Sequence, residues 1–292
     1  LVTGVILLDV ALYAHPLFNG ERPPGHLDYL TRAQFPNDYL VAFDEDKSTQ
    51  AGKMLHAADE GVLILNVYSS ILPERAVRAS NLLAGRPANT YLENHIELVN
   101  VARPDLLDMF AVRWLLFEPD QAVFADESLR FARDEGVIRV YENTNALPVA
   151  RLVPDITTVP DADASIRWLE DFTGDFSSQA VIEGDLPAPC PLATAEPFAA
   201  DHLDDLTFSG GDIHLNAQTS GPRLLVINQT YVDGWRARVN GESATVYPAN
   251  HRWLGVYLPC PGRYMVHLQY LPRSLQTGAV MSVVALAGML LA

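Results

Sequence analysis

The chain has 292 residues, about half of them apolar, and carries 36 acidic against 20 basic residues, a formal charge of −16. Such a field repels nucleic-acid phosphates, and no basic stripe interleaved with aromatics offsets it, so nucleic acid is excluded as a partner. The length allows two compact domains, and no repeat period marks a solenoid or propeller.

Residues 1–13 are apolar apart from Thr3 and Asp9 and lack the basic start of a signal peptide. They are too short to span a bilayer, which takes about 20 apolar residues. The run 278–292 is apolar and free of charge. Together the two ends read as the edges of flanking transmembrane helices, 1–14 and 274–292, with Arg273 snorkelling at the interface. Two buried core helices are the alternative.

Residues 15–156 read as a mixed α/β domain. Composition predicts a helix over 46–59, and the β-branched run 61–67 predicts a buried strand. A helix over 73–84 starts with Pro73 at an N1-like position and stops at Gly85. A short helix at 104–110 runs into a strand at 112–117. A second short helix is expected over 126–134, stopped by Gly136, then strands at 137–141 and 148–153 around a turn at 143–145.

Residues 157–176, rich in Asp, Pro and Thr, read as a linker holding one helix over 162–172. From 177 to 273 the pattern changes to short strands between turns, the signature of an antiparallel β-sandwich. Strands are expected at 179–183, 212–217, 223–228, 236–239, 244–247, 253–258 and 263–270. Asn240 and Gly241 both tolerate positive φ and predict a type I′ hairpin. The fold class expected is therefore α+β: a small mixed α/β layer, then a β-sandwich, flanked by partial transmembrane helices.

Cys190 and Cys260 both sit between prolines. In an oxidising compartment they would form one bridge; in a reducing one they would be two buried thiols. No CxxC or Cys/His pair has ligand spacing, and His56, His95, His202 and His251 lack the spacing of a helical site, so no metal and no cofactor is expected. Nor does the chain contain a GxSxG elbow, a Walker loop or an HExxH motif. Carboxylate clusters such as Asp44 to Asp46 read as solvated turns.

One ordered set of segments stands out: LLDMFAVRW at 106–114, YEN at 141–143 with LPVAR at 147–151, LLVINQTY at 224–231, GWRARVNG at 234–241, YPAN at 247–250, LPCPGR at 258–263 and YLPRS at 270–274. Taken together the set resembles the YfhO-like bacterial membrane proteins, which belong with the GT-C type of membrane glycosyltransferase. Asp233, Asn240 and Arg263 depart from the family's Pro, Asp and His at those turns. The resemblance implies an extracytoplasmic region in the bacterial cell membrane, in contact with membrane lipids. It also implies an enzyme that uses polyprenyl-phosphate-linked sugar to modify envelope glycans or lipids. The family's acidic catalytic residue belongs to an early outer loop, so none is expected here. A non-catalytic glycan-binding or scaffold module anchored in the membrane is the alternative.

One patch is aromatic and basic: Tyr231, Trp235, Arg236, Asn250, Arg252 and Trp253. Sugar rings stack on Trp, while Arg and Asn take hydroxyls or a lipid phosphate. The competing reading has Trp235 plugging the core and Arg252 capping a turn.

Overall fold

The computed structural model describes residues 35, 40–44, 65, 73–90, 101–117, 123–135, 138–190, 200–209, 211–274, 277–278 and 281–282. In chain order the first elements are β1 (Leu40–Asp44), α1 (Glu74–Leu83), α2 (Pro104–Met109), β2 (Val112–Phe117), β3 (Leu129–Asp134) and β4 (Arg139–Asn143). Then come β5 (Ala150–Val153), β6 (Asp155–Val159), α3 (Ala162–Asp171), β7 (Gln179–Glu183), β8 (His202–Ser209) and β9 (Asp212–Thr219). The last are β10 (Arg223–Thr230), β11 (Trp235–Val239), β12 (Glu242–Ala244), β13 (Val246–Ala249), β14 (Trp253–Leu258) and β15 (Gly262–Tyr270).

The described chain is mostly β, in three mainly antiparallel sheets. A six-stranded sheet, ordered β5-β10-β14-β13-β7-β6, occupies the centre. Its residues alternate between two cores, as the two-residue period of a strand requires. Leu225, Ile227, Leu254 and Val256 face a five-stranded sheet, β12-β11-β15-β9-β8, and meet its Ile213, Leu215, Ala237, Val266 and Leu268. Leu224, Val226, Ala249 and Trp253 point the other way. They join α1, α2, α3 and the four-stranded sheet β1-β2-β4-β3 in one continuous core reaching from Leu40 to Trp253.

That continuity alters the expected organisation. Residues 157–176 do hold the expected helix, now bounded as Ala162–Asp171 and capped by Asp161, whose Oδ1 accepts from the Ala164 amide at 2.8 Å. The helix is not part of a linker, however. It is the crossover between β6 and β7, which run parallel from Asp155 beside Gln179 to Val159 beside Glu183. Likewise β5, expected to close the first region, pairs with β10, Val153 lying beside Leu224.

Residues 129–134 form a strand and not the expected helix. The Ser128 amide donates to Asp126 Oδ1 at 2.8 Å in the preceding turn, and the segment then pairs with β4, Phe131 opposite Tyr141. Sheet pairing here outweighs a composition that suits a helix. The single strand expected at 244–247 is two strands in different sheets, parting at Thr245: β12 pairs with β11, and β13 with β14. The strands at β1, β6 and β8 were not expected. Pro73 is the N-cap of α1 where an N1-like position was expected, and Gly85 ends that helix at φ 68°. Asn240 and Gly241 adopt φ 52° and 85° between β11 and β12, the expected hairpin.

The expected helix over 46–59, the expected strand over 61–67 apart from Leu65, and most of the two apolar ends lie outside the described residues. Leu65 is buried and its amide donates to Val41 O at 2.9 Å. No helix among the described residues is long and apolar enough to cross a membrane.

Candidate functional site

The expected aromatic and basic patch is not one surface. Asn250, Arg252 and Trp253 are 0%, 4% and 2% exposed. Trp253 lies edge-on to Phe110, ring centroids 5.3 Å apart, so its face is closed to a sugar ring. Tyr231 is half-buried. Trp235 is half-buried on the other sheet and tilts against Tyr270, centroids 5.4 Å apart, while Arg236 beside it is exposed. The residue that plugs the core is thus Trp253, and Trp235 sits at the margin of the other core. A lone two-residue alternation does not tell which face of a strand is interior when both faces are covered.

What the fold assembles instead is a buried cationic knot where the turn 250–252 meets α1. Asn250 and His251 both have left-handed backbones, φ 45° and 64°. Asn tolerates this region, whereas at His it costs on the order of 1–2 kcal/mol. The turn is held by its surroundings. The Asn250 amide donates to Val181 O at 2.8 Å, and Asn250 Oδ1 accepts from the Val181 amide at 3.0 Å. The Tyr231 amide donates to Arg252 O at 2.7 Å, and Arg75 Nη1 donates to His251 O at 2.9 Å.

Arg75 also grips Glu183, its Nη2 donating to Oε2 at 2.8 Å, and Arg78 pairs with Asp163 at 2.8 Å. Among the described residues no carboxylate lies beside Arg252. Its guanidinium lies 4.5 Å from the Trp253 ring centroid and 5.1 Å from that of Phe110, and Nη1 donates to Ser80 Oγ at 3.2 Å. Ring faces offset part of the cost of burying that charge. Burial pushes the Arg252 guanidinium down to about 9, which leaves it charged at neutral pH. Burial, reinforced by Arg75 and Arg78, pushes the His251 imidazole down to about 3, so that ring is neutral.

A second guanidinium, Arg151, is buried nearby in the same core, and burial lowers it to about 10. Its Nη1 donates to Asn228 Oδ1 at 2.9 Å, and Asn228 Nδ2 donates to Met109 O at 2.8 Å, which ties β5 and β10 to the end of α2. Arg151 also lines an open cleft of about 550 Å³ between the edge strands β5 and β8, with Pro148, Leu152, Asp201 and Leu206.

Cys190 and Cys260 are joined as a disulfide, Cα atoms 5.1 Å apart. The Cys190 amide donates to Pro259 O at 3.0 Å, so the bridge fastens the segment after β7 to the turn between β14 and β15. Thr219 Oγ1 and the Tyr264 hydroxyl both donate to Cys260 O, at 2.8 and 2.7 Å.

Among the described residues no Ser, Thr or Cys is hydrogen-bonded to a histidine base, so no nucleophile-and-base pair is assembled there. The sequence reading expected no metal centre; the structure gathers Asp212, His214 and His267 on the outer face of the five-stranded sheet. Helical spacing is the wrong template for such a group, since its members stand two apart on one strand and opposite on the next. No protein-family model matches the chain, and no curated protein and no solved structure matches it.

Proposed function

We propose that this chain is a non-catalytic extracytoplasmic domain of a bacterial membrane protein, a β-sandwich backed by a small α/β layer. The observation that carries the reading is the Cys190–Cys260 disulfide, because such bridges persist in oxidising compartments and are rare in the cytosol. The charge-free run 278–292, which follows β15 closely, supports a membrane anchor.

Within that reading, the resemblance to YfhO-like proteins makes the domain an accessory part of a membrane glycosyltransferase. Its donor would be a polyprenyl-phosphate-linked sugar, its acceptor an envelope glycan or lipid, and its catalytic residues would lie outside this chain. The interior positions of Trp253 and Arg252 speak against a glycan-binding module built on the patch read from sequence.

Replacing 15–273 by a short flexible linker in the membrane protein that carries this chain tests the proposal. The expected result is a protein still found in the membrane but unable to transfer sugar from the polyprenyl-phosphate donor to the envelope acceptor. Undiminished transfer would sink the accessory role. Labelling of the reduced cysteines by a membrane-impermeant maleimide on intact cells checks the location, and labelling seen only after lysis would place the domain on the cytoplasmic side.

A further inference from the structure

The outer face of the five-stranded sheet carries an arrangement independent of the proposed role. Asp212 and His214 are two apart on β9 and so project from the same face. His267 on β15 stands directly opposite His214 in the antiparallel register, and Gln269 opposite Asp212. The interior partners of these positions, Ile213, Leu215, Val266 and Leu268, are buried. That burial fixes the two strands so that the other set of side chains faces solvent.

His267 Nε2 lies 2.8 Å from Asp212 Oδ1. The two imidazoles stack, centroids 4.1 Å apart and planes 8° from parallel. One ligand atom from each of the three residues falls within 4.8 Å of the others. Beside them opens a shallow cavity of about 280 Å³, also lined by Asp205, Asn216, Arg238 and Met265. Asp205 is turned by a left-handed φ of 56° at the bulge in β8, and its Oδ2 accepts from Asn216 Nδ2 at 2.8 Å. A second carboxylate therefore stands on the rim. Two arginines share the face: Arg238 opposite His267, its Nη1 donating to Gly241 O at 2.8 Å in the hairpin, and Arg236 opposite Gln269.

We infer that Asp212, His214 and His267 form a binding site for a first-row divalent transition metal ion of the Zn²⁺ class. Two imidazoles and one carboxylate suit Zn²⁺, Co²⁺, Ni²⁺ or Cu²⁺ and not Ca²⁺ or Mg²⁺, which want oxygen ligands. Metal–ligand bonds of roughly 2.0–2.1 Å set tetrahedral donors about 3.3 Å apart, so the 2.8 Å His267–Asp212 pair opens slightly and the His214 ring turns in to meet it. Rotation of two solvent-facing rings and one carboxylate supplies that movement without disturbing the strands. On binding, the His267–Asp212 hydrogen bond gives way, the imidazole carries its N–H on Nδ1, and Nε2 and the carboxylate oxygen turn to the metal. Three protein ligands leave a fourth position open to water or to an oxygen of a partner molecule.

Because β9 and β15 lie in the interior of the sheet, the ion would staple its two central strands from outside. The three ligands come from the exposed face, so their removal leaves the core intact.

The test is titration of the untagged, chelator-treated full chain with CoCl₂ and ZnCl₂, following visible d–d absorption and calorimetry, alongside His214→Ala, His267→Ala and the double variant. One equivalent is expected, with a Co²⁺ spectrum of low coordination number, and each single variant should weaken binding at least about tenfold. Zn²⁺ should also raise the Tm of the parent chain and leave that of the double variant unmoved. Circular dichroism of the variants checks that they fold. Absence of binding by the parent chain overturns the site, as does undiminished binding by the folded double variant, which would put the ion on other histidines.

Discussion

Asn143 Nδ2 donates to Asp108 Oδ1 at 2.7 Å, linking the end of β4 to α2 beside the strand it precedes. Burial raises the Asp108 carboxyl to about 6, against the hydrogen bond from Asn143, with Asp126 and Asp105 adding to the rise. The ordinary value is 3.8. Between roughly pH 4 and 6 the folded chain holds a proton that the unfolded chain has lost, so this group makes stability fall as pH rises through that window. Asp108→Asn keeps an acceptor for Asn143 and removes the charge. The variant should gain about 1–2 kcal/mol at pH 8, discounted for partial exposure, and nothing at pH 4. Denaturant melts at the two pH values measure it, and an equal gain at both would assign the effect to packing.

His251 acts with the opposite sign. Its folded value is lowered to about 3 from 6.5, so stability is present above about pH 6.5 and drains away as pH falls toward 3. His251→Asn suits the left-handed backbone and removes the titration. It should cut the slope of unfolding free energy against pH by about one proton between pH 6 and 4. In the parent chain the Asp108 and His251 slopes oppose each other near pH 5, and either substitution alone should expose the other. A parent slope unchanged by His251→Asn would show that the imidazole does not titrate on unfolding.

Arg252 carries a buried charge with ring faces and one hydroxyl for company. Arg252→Met keeps most of the volume and removes the desolvation cost, so stability should stay within about 1 kcal/mol of the parent or rise. Arg252→Ala leaves a cavity and should lose about 2–4 kcal/mol. Equal losses in both variants would mean that the charge itself stabilises the knot.

The Cys190–Cys260 bridge closes a loop with a sequence separation of 70. Loop-closure entropy puts its contribution at about 4 kcal/mol. Chemical unfolding with and without reductant, and of Cys190→Ser/Cys260→Ser, should give the same loss. An effect under 1 kcal/mol would show that the loop is held by its hydrogen bonds alone.

Gly234 and Gly241 both have positive φ, 118° and 85°. A Cβ on Gly241 meets open space, whereas on Gly234 it would stand 2.9 Å from Pro272 Cα. Gly241→Ala should therefore cost about 1 kcal/mol, and Gly234→Ala clearly more, because backbone must move as well. Thermal melts of the two variants side by side decide it.

The buried strands were legible in the sequence: those at 112–117, 179–183 and 253–258 stand where their apolar runs put them. The strand 263–270 reads correctly because Tyr264, Val266 and Leu268 alternate with Arg263, Met265 and His267, and the Asn240-Gly241 turn sets its own hairpin. The strands at 129–134 and 202–209 are mostly exposed edges whose composition carries little period; pairing alone makes them strands. The domain plan was misread at 157–176 because a crossover helix between parallel strands is as polar on its outer side as a linker helix. Arg252 misled for another reason. A sequence has no signal for a guanidinium buried between rings, so a charged residue beside tryptophan reads as surface.

Beyond Tyr270 the chain leaves a strand that lies between β11 and β9, both antiparallel to it, and the Leu271 amide is held by Gly234 O at 2.9 Å. A pull on the C-terminal end runs along β15 and across its ladders. Strand hydrogen bonds stand perpendicular to the strand axis, so two rows of them are loaded in shear at once and cannot open one by one like a zip. Drawn from this end, the sheet resists as a clamp.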